Sequence, residues 1–233
     1  MIRWVKNQLR SGLGDQRYAF LAKRKNNFNA YLNYLAARYV KRQPNLGYDR
    51  QYYERTNSDY GYSFPIMAKT LVEVFHPKRA VDVGCGSGRF GRALMQAGCA
   101  EVFGFDQSAD SVAMAISEGL SGAQQLDVTV AAEAPLQGDL CTSFEVGEHI
   151  PKRFASNYCS LLSRIAPIVV MTVAPPGQGG HFHMNEQPRQ YWVELMKSLG
   201  MQFDKTATEF LQNAWRGNVA EHYFRNLLVF RRI

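Results

Sequence analysis

From about residue 80 onward, the chain alternates short apolar runs with segments whose apolar side chains recur at helical spacing. The apolar runs AVDV, EVFGF, QQLDV, LCTSF and IVVMTV predict β-strands. The segments GRFGRALMQAG, SADSVAMAISEG, IPKRFASNYCSLLSRIA and PRQYWVELMKSLG predict helices between and after these strands. Alternating strands and helices predict a parallel sheet with helices on both faces.

The end of the chain has a different pattern. GMQFDKTA and HYFRNLLVFRR predict two further strands, and we find no helical period between them. Such a tail can pair antiparallel at one edge of a parallel sheet. The pattern therefore predicts an α/β fold, a three-layer sheet of about seven strands with an antiparallel last strand.

The first residues form a separate, basic segment. Residues 1–44 contain ten Lys and Arg and the single acid Asp15, whereas the remaining chain has 17 basic and 19 acidic side chains. Apolar residues from Phe28 to Val40 predict a helix over about 27–42, stopped by Pro44. We expect a basic helical extension over 1–45 and a main domain over 46–233. The basic face could contact phosphate, a peripheral membrane surface or an acidic carrier, or it could only be solvated.

Composition limits the other classes of protein. A chain of 233 residues with 46% hydrophobic content can bury one sizeable core. The longest apolar run, residues 165–174, is too short to span a bilayer, and the N-terminus lacks the apolar stretch of a signal peptide. The four cysteines form no CxxC pair. We therefore expect a cytoplasmic protein with reduced thiols.

A glycine-rich segment follows the first predicted strand. In AVDVGCGSGRFG, a strand runs into a glycine loop and a helix start, and Asp106 follows Gly84 by 22 residues, at the end of the next strand. Such glycines let a ligand approach the backbone closely, and such an acid accepts hydrogen bonds from ribose hydroxyls. The arrangement predicts a site for an adenosine-type cofactor.

Two cofactor classes compete for this site. Gly86, Gly88 and Gly91 satisfy the dinucleotide pattern G-x-G-x-x-G, which is typical of nicotinamide enzymes. Against that class, Asp82 lies inside the strand, where a carboxylate suits the cationic end of an amino acid better than a pyrophosphate. The antiparallel tail also differs from a second mononucleotide-binding half.

Four segments carry a resemblance to a known family. VDVGCGSG, GFDQS, DLCTSFEVGEHI and LLVFRR resemble the Rossmann-like class I S-adenosylmethionine-dependent methyltransferases. The resemblance covers roughly residues 48–233 and implies S-adenosyl-L-methionine as the cofactor. It implies cofactor contacts from ten residues: Asp82 near the amino group, Gly84, Cys85, Gly86 and Gly88 along the loop, Asp106 on the ribose, Gln107 and Asp127 near adenine, and Phe144 and Glu145 beside the sulfonium.

The run SFEVGEHIP places two carboxylates and an imidazole after the fourth predicted strand. His149 or a carboxylate such as Glu148 could remove a proton from an acceptor hydroxyl. Alternatively, Glu145, Glu148 and His149 could hold a divalent cation such as Mg²⁺ that lowers the pKa of the hydroxyl. E-x-x-E-H resembles a metal site of ubiquinone-pathway O-methyltransferases and small-RNA 3′-end methyltransferases, which implies a further ligand from His181 or His183. It also resembles metal-free family members in which the glutamate caps the next helix.

The loop after the fifth strand has its own likeness. GQGGHFHMNEQPRQYW resembles a subgroup of class I methyltransferases, which implies that His183, Asn185 and Gln187 line the acceptor pocket. The aromatic segment YDRQYYERTNSDYGYSFP could cover the cofactor from the other side or could be an irregular lead-in with core contacts.

These patterns favour O-methylation of a small-molecule or saccharide hydroxyl, with His149, His183 and Glu148 as the catalytic candidates. An RNA methyltransferase that uses the basic extension is the second interpretation, although the main domain is not basic. A third is a non-catalytic interaction protein with a cofactor-binding fold, which would bind no S-adenosylmethionine. Tight binding of NAD(H) would instead indicate an oxidoreductase.

Overall fold

A computed structural model describes residues 50–131, 133–180 and 182–233. Within these ranges, seven strands form one sheet in the order β3-β2-β1-β4-β5-β7-β6. The strands are β1 (Arg79–Val83), β2 (Glu101–Asp106), β3 (Gly122–Gln125), β4 (Leu140–Phe144), β5 (Ile168–Thr172), β6 (Met201–Phe203) and β7 (Leu227–Arg232). β1 to β5 run parallel, whereas β7 pairs antiparallel with β5 and β6. The predicted α/β sheet with an antiparallel last strand is confirmed.

Helices connect the strands and cover the sheet. The described helices are α1 (Arg50–Tyr60), α2 (Phe64–Phe75), α3 (Arg89–Gln96), α4 (Ala109–Ser117), α5 (Ala155–Ile165), α6 (Arg189–Ser198), α7 (Lys205–Trp215) and α8 (Glu221–Arg225). Short 3-10 turns lie at Gly61–Ser63, Gly147–His149 and Lys152–Phe154. In the described part of the chain, none of the helices has the length and apolar character needed to cross a bilayer.

The sheet separates two apolar clusters. Leu140 belongs to one cluster, with Leu94 and Trp215, and its neighbour Cys141 belongs to the other, with Trp192. Successive residues of a strand point to opposite faces, so the two clusters lie on the two faces of the sheet. Both faces are therefore covered, as a mainly parallel sheet requires.

The expectation of no helix between the last two strands is wrong. α7 occupies this region, and Ala207, Leu211 and Trp215 are buried at four-residue intervals along one side of it. Asp204 starts the helix, because its Oδ1 accepts a hydrogen bond from Ala207 N at 2.9 Å. The start of HYFRNLLVFRR is also helical, within α8, and β7 begins only at Leu227.

Two further boundaries differ from the predictions. The sequence predicts a strand over QQLDV, but β3 ends at Gln125, the partner of the last residue of β2, so Asp127 lies in the following loop. The aromatic segment before β1 is not irregular, since α1 and α2 cover most of it. The extension over residues 1–45 and its predicted helix lie outside the described residues.

Candidate functional site

The glycine loop joins the end of β1 to the start of α3. Gly84, Gly86 and Gly88 have φ angles of 78°, 53° and 78°, which side chains rarely adopt. A Cβ built on Gly84 would lie 2.3 Å from Val146 Cγ2, and one on Gly86 would lie 2.8 Å from Tyr53 Cε1. The loop therefore requires glycine both for its backbone and for its close neighbours.

Helix α1 lies over this loop. Tyr53 is the residue that contacts Gly86, and Asn57 Nδ2 donates a hydrogen bond to Ser87 Oγ at 2.9 Å. Asn57 and Ser87 are both buried, so the contact is a fixed part of the fold. This position agrees with the interpretation in which the aromatic segment covers the cofactor site.

Asp106 ends β2 at the same edge of the sheet. Its Oδ2 accepts a hydrogen bond from Gly86 N, and its Oδ1 accepts one from Ser108 N, both at 2.9 Å. Burial raises the pKa of this carboxyl group, and the two backbone donors oppose that rise. Each carboxylate oxygen has a second lone pair, so Asp106 can also accept hydrogen bonds from a sugar diol.

Asp82 is buried inside β1. Its Oδ1 accepts a hydrogen bond from Thr142 Oγ1 at 2.8 Å. Burial raises the pKa of Asp82 to about 7, the hydroxyl of Thr142 opposes the rise, and the charge of Asp106 adds to it. A cationic ligand group beside Asp82 would favour the ionised form. The site thus has an acceptor suited to an ammonium group and another suited to a diol.

Two residues predicted to contact the cofactor have side chains directed to the protein interior. Cys85 is buried, and its sulfur packs so close to Gly104 that a Cβ there would lie 2.8 Å from Sγ. The ring of Phe144 packs edge-to-face on Phe90, with centroids 4.9 Å apart. A contact from Cys85 to a ligand would therefore come from its backbone.

Gln107 and Asp127 lie in the loops that follow β2 and β3. The backbone oxygen of Gln107 accepts a hydrogen bond from Gln125 Nε2 at 2.8 Å. Asp127 Oδ1 accepts hydrogen bonds from Thr129 N at 2.9 Å and from Thr129 Oγ1 at 2.6 Å. Both residues follow strand ends at the ligand-binding edge, and their adenine contacts stay predictions.

Glu145 follows β4 with a left-handed backbone, φ 53°. Its backbone N donates to Thr172 Oγ1 at 2.9 Å, and its carboxylate accepts hydrogen bonds from Gln178 Nε2 at 2.8 Å and Asn226 Nδ2 at 3.1 Å. Such a conformation costs on the order of 1–3 kcal/mol and persists only where surrounding contacts hold it. Three segments distant in sequence therefore meet at Glu145.

Glu148, His149 and His183 form a compact cluster. Each offers one donor atom, and these atoms lie within 4.8 Å of one another. Glu148 is fully buried, and within the described part of the chain neither carboxylate oxygen has a hydrogen-bond partner. Burial raises the pKa of Glu148 well above its usual range, and the nearby charge of Glu145 adds to the rise. The rings of His149 and His183 meet edge-to-face with centroids 4.9 Å apart.

The cluster differs from the predicted cation set of Glu145, Glu148 and His149. The carboxylate of Glu145 is bound by two side-chain amides and is not part of the group, whereas His183 is. The left-handed backbone of Glu145 turns the chain at this point, which the spacing of E-x-x-E-H did not reveal. His181, the other predicted ligand, lies outside the described residues.

Backbone hydrogen bonds bring the loop after β5 to this cluster. The carbonyl oxygen of Glu148 accepts from Met184 N at 2.8 Å and from Asn185 N at 2.9 Å. The side chain of Asn185 is buried and donates to Gly147 O at 3.4 Å. Asn185 therefore anchors the loop, in contrast to the predicted role in lining the acceptor pocket.

Sequence reasoning missed Asn226 at this edge, and it gave Tyr52 and Glu186 no role of their own. Asn226, which lies between α8 and β7, approaches Glu145, and no local pattern marked it. Tyr52 lies near Glu148 and Glu145, whose charges add to the burial that raises the pKa of its hydroxyl. Glu186 lies in the loop after β5, and an acid a few residues after three glycines was the available sequence signal.

The residues present fit two kinds of ligand. The strained glycine loop, Asp106 and Asp82 suit an adenosine-type cofactor with a cationic end. One carboxylate and two imidazoles suit a divalent cation, which would also satisfy the buried Glu148 carboxylate that lacks a hydrogen-bond partner within residues 50–131, 133–180 and 182–233.

Comparisons with known proteins assign the chain to a family and find two relatives. A family model described as "Methyltransferase domain" matches residues 30–222, which is most of the chain. A ubiquinone biosynthesis O-methyltransferase of Stutzerimonas stutzeri is 31% identical over 120 residues, which cover 49% of this chain and 47% of that protein. A probable chloroplastic tocopherol O-methyltransferase of Oryza sativa subsp. japonica is 35% identical over 105 residues, which cover 41% of this chain and 29% of that protein. The chain thus spans less than half the length of each relative.

A solved structure shares the fold. The magnesium protoporphyrin IX methyltransferase from Synechocystis, crystallised with bound SAH, superposes with a TM-score of 0.51 at 20% identity. The superposition covers 66% of this chain and 74% of that one. At this level of identity, the likeness concerns the fold alone.

Proposed function

The chain belongs to the methyltransferase domain family, and we propose that it is an S-adenosylmethionine-dependent O-methyltransferase acting on a small-molecule hydroxyl. The observation that carries the proposal is the buried Glu148 carboxyl group beside His149 and His183. A hydroxyl acceptor needs a neighbouring group that can take its proton, because a neutral hydroxyl is a weak nucleophile. The names of the two relatives, both O-methyltransferases, support the same chemistry.

The cofactor would be held at the ends of β1 and β2. Asp106 would accept hydrogen bonds from the ribose hydroxyls, the loop at Gly84, Gly86 and Gly88 would accommodate the chain that joins ribose to the amino acid, and Asp82 would attract the ammonium group. When bound, S-adenosylmethionine supplies a methyl group on a positively charged sulfur.

The acceptor would lie between the glycine loop and the cluster. Glu148, His149 and His183 would orient its hydroxyl toward the transferable methyl group, and an imidazole would accept the hydroxyl proton. Residues 177–180 are exposed, so the acceptor would enter from this side of the loop. The polar side chains around it favour a hydroxyl-rich acceptor, of which a saccharide is one class.

A transfer assay with methyl-labelled S-adenosylmethionine tests the proposal. The acceptors are phenols, catechols, sugars and a short RNA, and the product is identified as a methyl ether by mass spectrometry. We expect Glu148→Gln to bind S-adenosylhomocysteine normally and to lose most of the transfer, because it removes the ionisable group but leaves Asp106 intact. Glu194→Gln, at an exposed position of α6, is the matched control and should transfer at the wild-type rate. Undiminished transfer by Glu148→Gln, or transfer to RNA alone, would contradict the proposal.

The cluster also supports a second candidate, a cation-dependent form of the same reaction. One buried carboxylate that has no hydrogen-bond partner among the described residues, together with two imidazoles within 4.8 Å, favours it. A bound divalent cation lowers the pKa of a coordinated hydroxyl. Calorimetric titration with Mg²⁺, Mn²⁺ and Zn²⁺ should then show one site that His183→Gln removes. Full transfer after dialysis against a chelator would contradict the cation-dependent reaction and would favour the metal-free one.

A further inference from the structure

Glu186 is a buried acid in the loop after β5. We infer that Glu186 is a positioning residue that holds the imidazole of His183 in one orientation and one tautomer beside Glu148. The use of His183 in methyl transfer rests on the proposed function, whereas the hydrogen bonds of Glu186 do not.

Three groups of the loop converge on the Glu186 carboxylate. Oε2 accepts a hydrogen bond from Gly177 N at 3.1 Å, and Oε1 accepts one from Gly179 N at 2.6 Å. Oε1 also lies 3.1 Å from His183 Nδ1. The Glu186 side chain is 1% exposed and that of His183 is 10% exposed, so the pair is removed from solvent. A buried carboxylate is stable in such a place because these contacts replace its water.

The carboxylate selects the tautomer of His183. An ionised carboxylate only accepts hydrogen bonds, so the nitrogen that faces it must carry the proton. With the proton of the neutral ring on Nδ1, the lone pair is on Nε2, where it can accept a proton or bind a cation. Carboxylates commonly orient functional imidazoles through such contacts.

The surrounding loop restricts the ring further. A Cβ built on Gly180 would lie 2.2 Å from His183 Nε2, so the backbone of Gly180 packs directly on the ring. The ring of His149 contacts His183 edge-to-face on the cluster side. Glu186 therefore ties two glycine amides and the imidazole into one unit, which the backbone bonds from Met184 and Asn185 fasten to Glu148.

Glutamine is nearly isosteric with glutamate but cannot replace it here. An amide has one oxygen, and its NH₂ group would face a backbone N–H or the Nδ1 proton. Glu186→Gln should therefore release the preferred tautomer of His183 and loosen the glycine loop, while Asp106 and Asp82 stay unchanged.

The direct test is nitrogen NMR of protein labelled at histidine, at about pH 8, above the usual imidazole pKa. Long-range ¹H–¹⁵N correlations show which ring nitrogen carries the proton, and His183→Gln identifies the signals of His183. We expect wild-type protein and Glu194→Gln to show His183 protonated on Nδ1, and Glu186→Gln to show a mixture or the other tautomer. We also expect kcat of Glu186→Gln to fall about 10- to 100-fold, with KM for S-adenosylmethionine within about twofold of wild type.

Each outcome has a separate meaning. A wild-type His183 protonated on Nε2 would overturn the inference, and this result needs no variant to fold. An unchanged tautomer in folded Glu186→Ala, which removes both carboxylate oxygens, would also overturn it, with folding checked by thermal unfolding. A changed tautomer with undiminished methyl transfer would leave the positioning by Glu186 standing and would refute the proposed role of His183 in the reaction.

Discussion

Asp82 and Asp106 are two buried carboxyl groups at one edge of the sheet, and they are stabilised in different ways. Asp106 accepts a hydrogen bond from a backbone N–H on each oxygen, whereas Asp82 accepts one from the hydroxyl of Thr142. Backbone donors favour ionisation more than one hydroxyl does. The pKa of Asp82 accordingly reaches about 7, near the pH at which proteins work.

The raised pKa of Asp82 predicts pH-dependent cofactor affinity. Below pH 7 the ligand-free carboxyl group is mostly protonated, and an ammonium group favours the ionised form, so binding must first release a proton. Affinity for S-adenosylhomocysteine should therefore fall as the pH drops through 7, by about five- to tenfold between about pH 7.5 and 6. Calorimetry at several pH values measures this change.

Adenosine, which lacks the amino-acid end, is the matched ligand and should bind with little dependence on pH over the same range. Asp82→Asn should weaken S-adenosylhomocysteine at the higher pH and remove the dependence. An equal slope for both ligands would show that the ammonium group does not meet Asp82.

At the scale of elements, the predictable parts of the fold are those with local signals. β1, the glycine loop and Asp106 were predictable, because strand, turn and acid follow one another within a short stretch of chain. The positions of Asn226 and Glu186 were not, because their partners are set by the antiparallel return of β7 and by the folding of one loop. The left-handed turn at Glu145 likewise depends on tertiary contacts from Thr172, Gln178 and Asn226.

Helix α7 was missed although its period is present in the sequence. Ala207, Leu211 and Trp215 recur at four-residue spacing, but the apolar residue Phe210 interrupts the expected polar face and is 56% exposed. The phase of the helix can be tested at two adjacent positions. Leu211→Ala should lower the free energy of unfolding by about 2–5 kcal/mol, because it opens a cavity in the core.

Phe210→Ala is the matched control on the same helix and should change the free energy of unfolding by less than about 0.5 kcal/mol, as exposed positions do. Urea denaturation of both variants measures the difference. Similar losses at the two positions would contradict the placement of α7.

At the scale of the whole molecule, the site joins parts of the chain that are far apart in sequence. The glycine loop, Asp106, the 3-10 turn at Gly147–His149 and the loop after β5 all extend from the carboxyl ends of parallel strands, and α1 covers the loop from outside. A ligand that contacts these segments stabilises the folded state alone, because the unfolded chain has no such site. The size of that stabilisation therefore reports on the assembled site.

Thermal unfolding with cofactor at about one hundred times its Kd should show a stabilisation of about 2.7 kcal/mol. For a chain of this size, that corresponds to a rise in Tm of about 5–10 °C. S-adenosylhomocysteine should give this rise and NAD should not, because Asp82 favours a cationic end over a pyrophosphate.

Two variants separate the cofactor side of the site from the acceptor side. Asp106→Ala should abolish the rise in Tm, since it removes the group that accepts hydrogen bonds from the sugar hydroxyls. Glu148→Gln should retain the rise, because Glu148 belongs to the side that binds the methyl acceptor. A rise that persists in Asp106→Ala would show that the cofactor binds elsewhere, and the assignment of Glu148, His149 and His183 to the acceptor would lose its geometric basis.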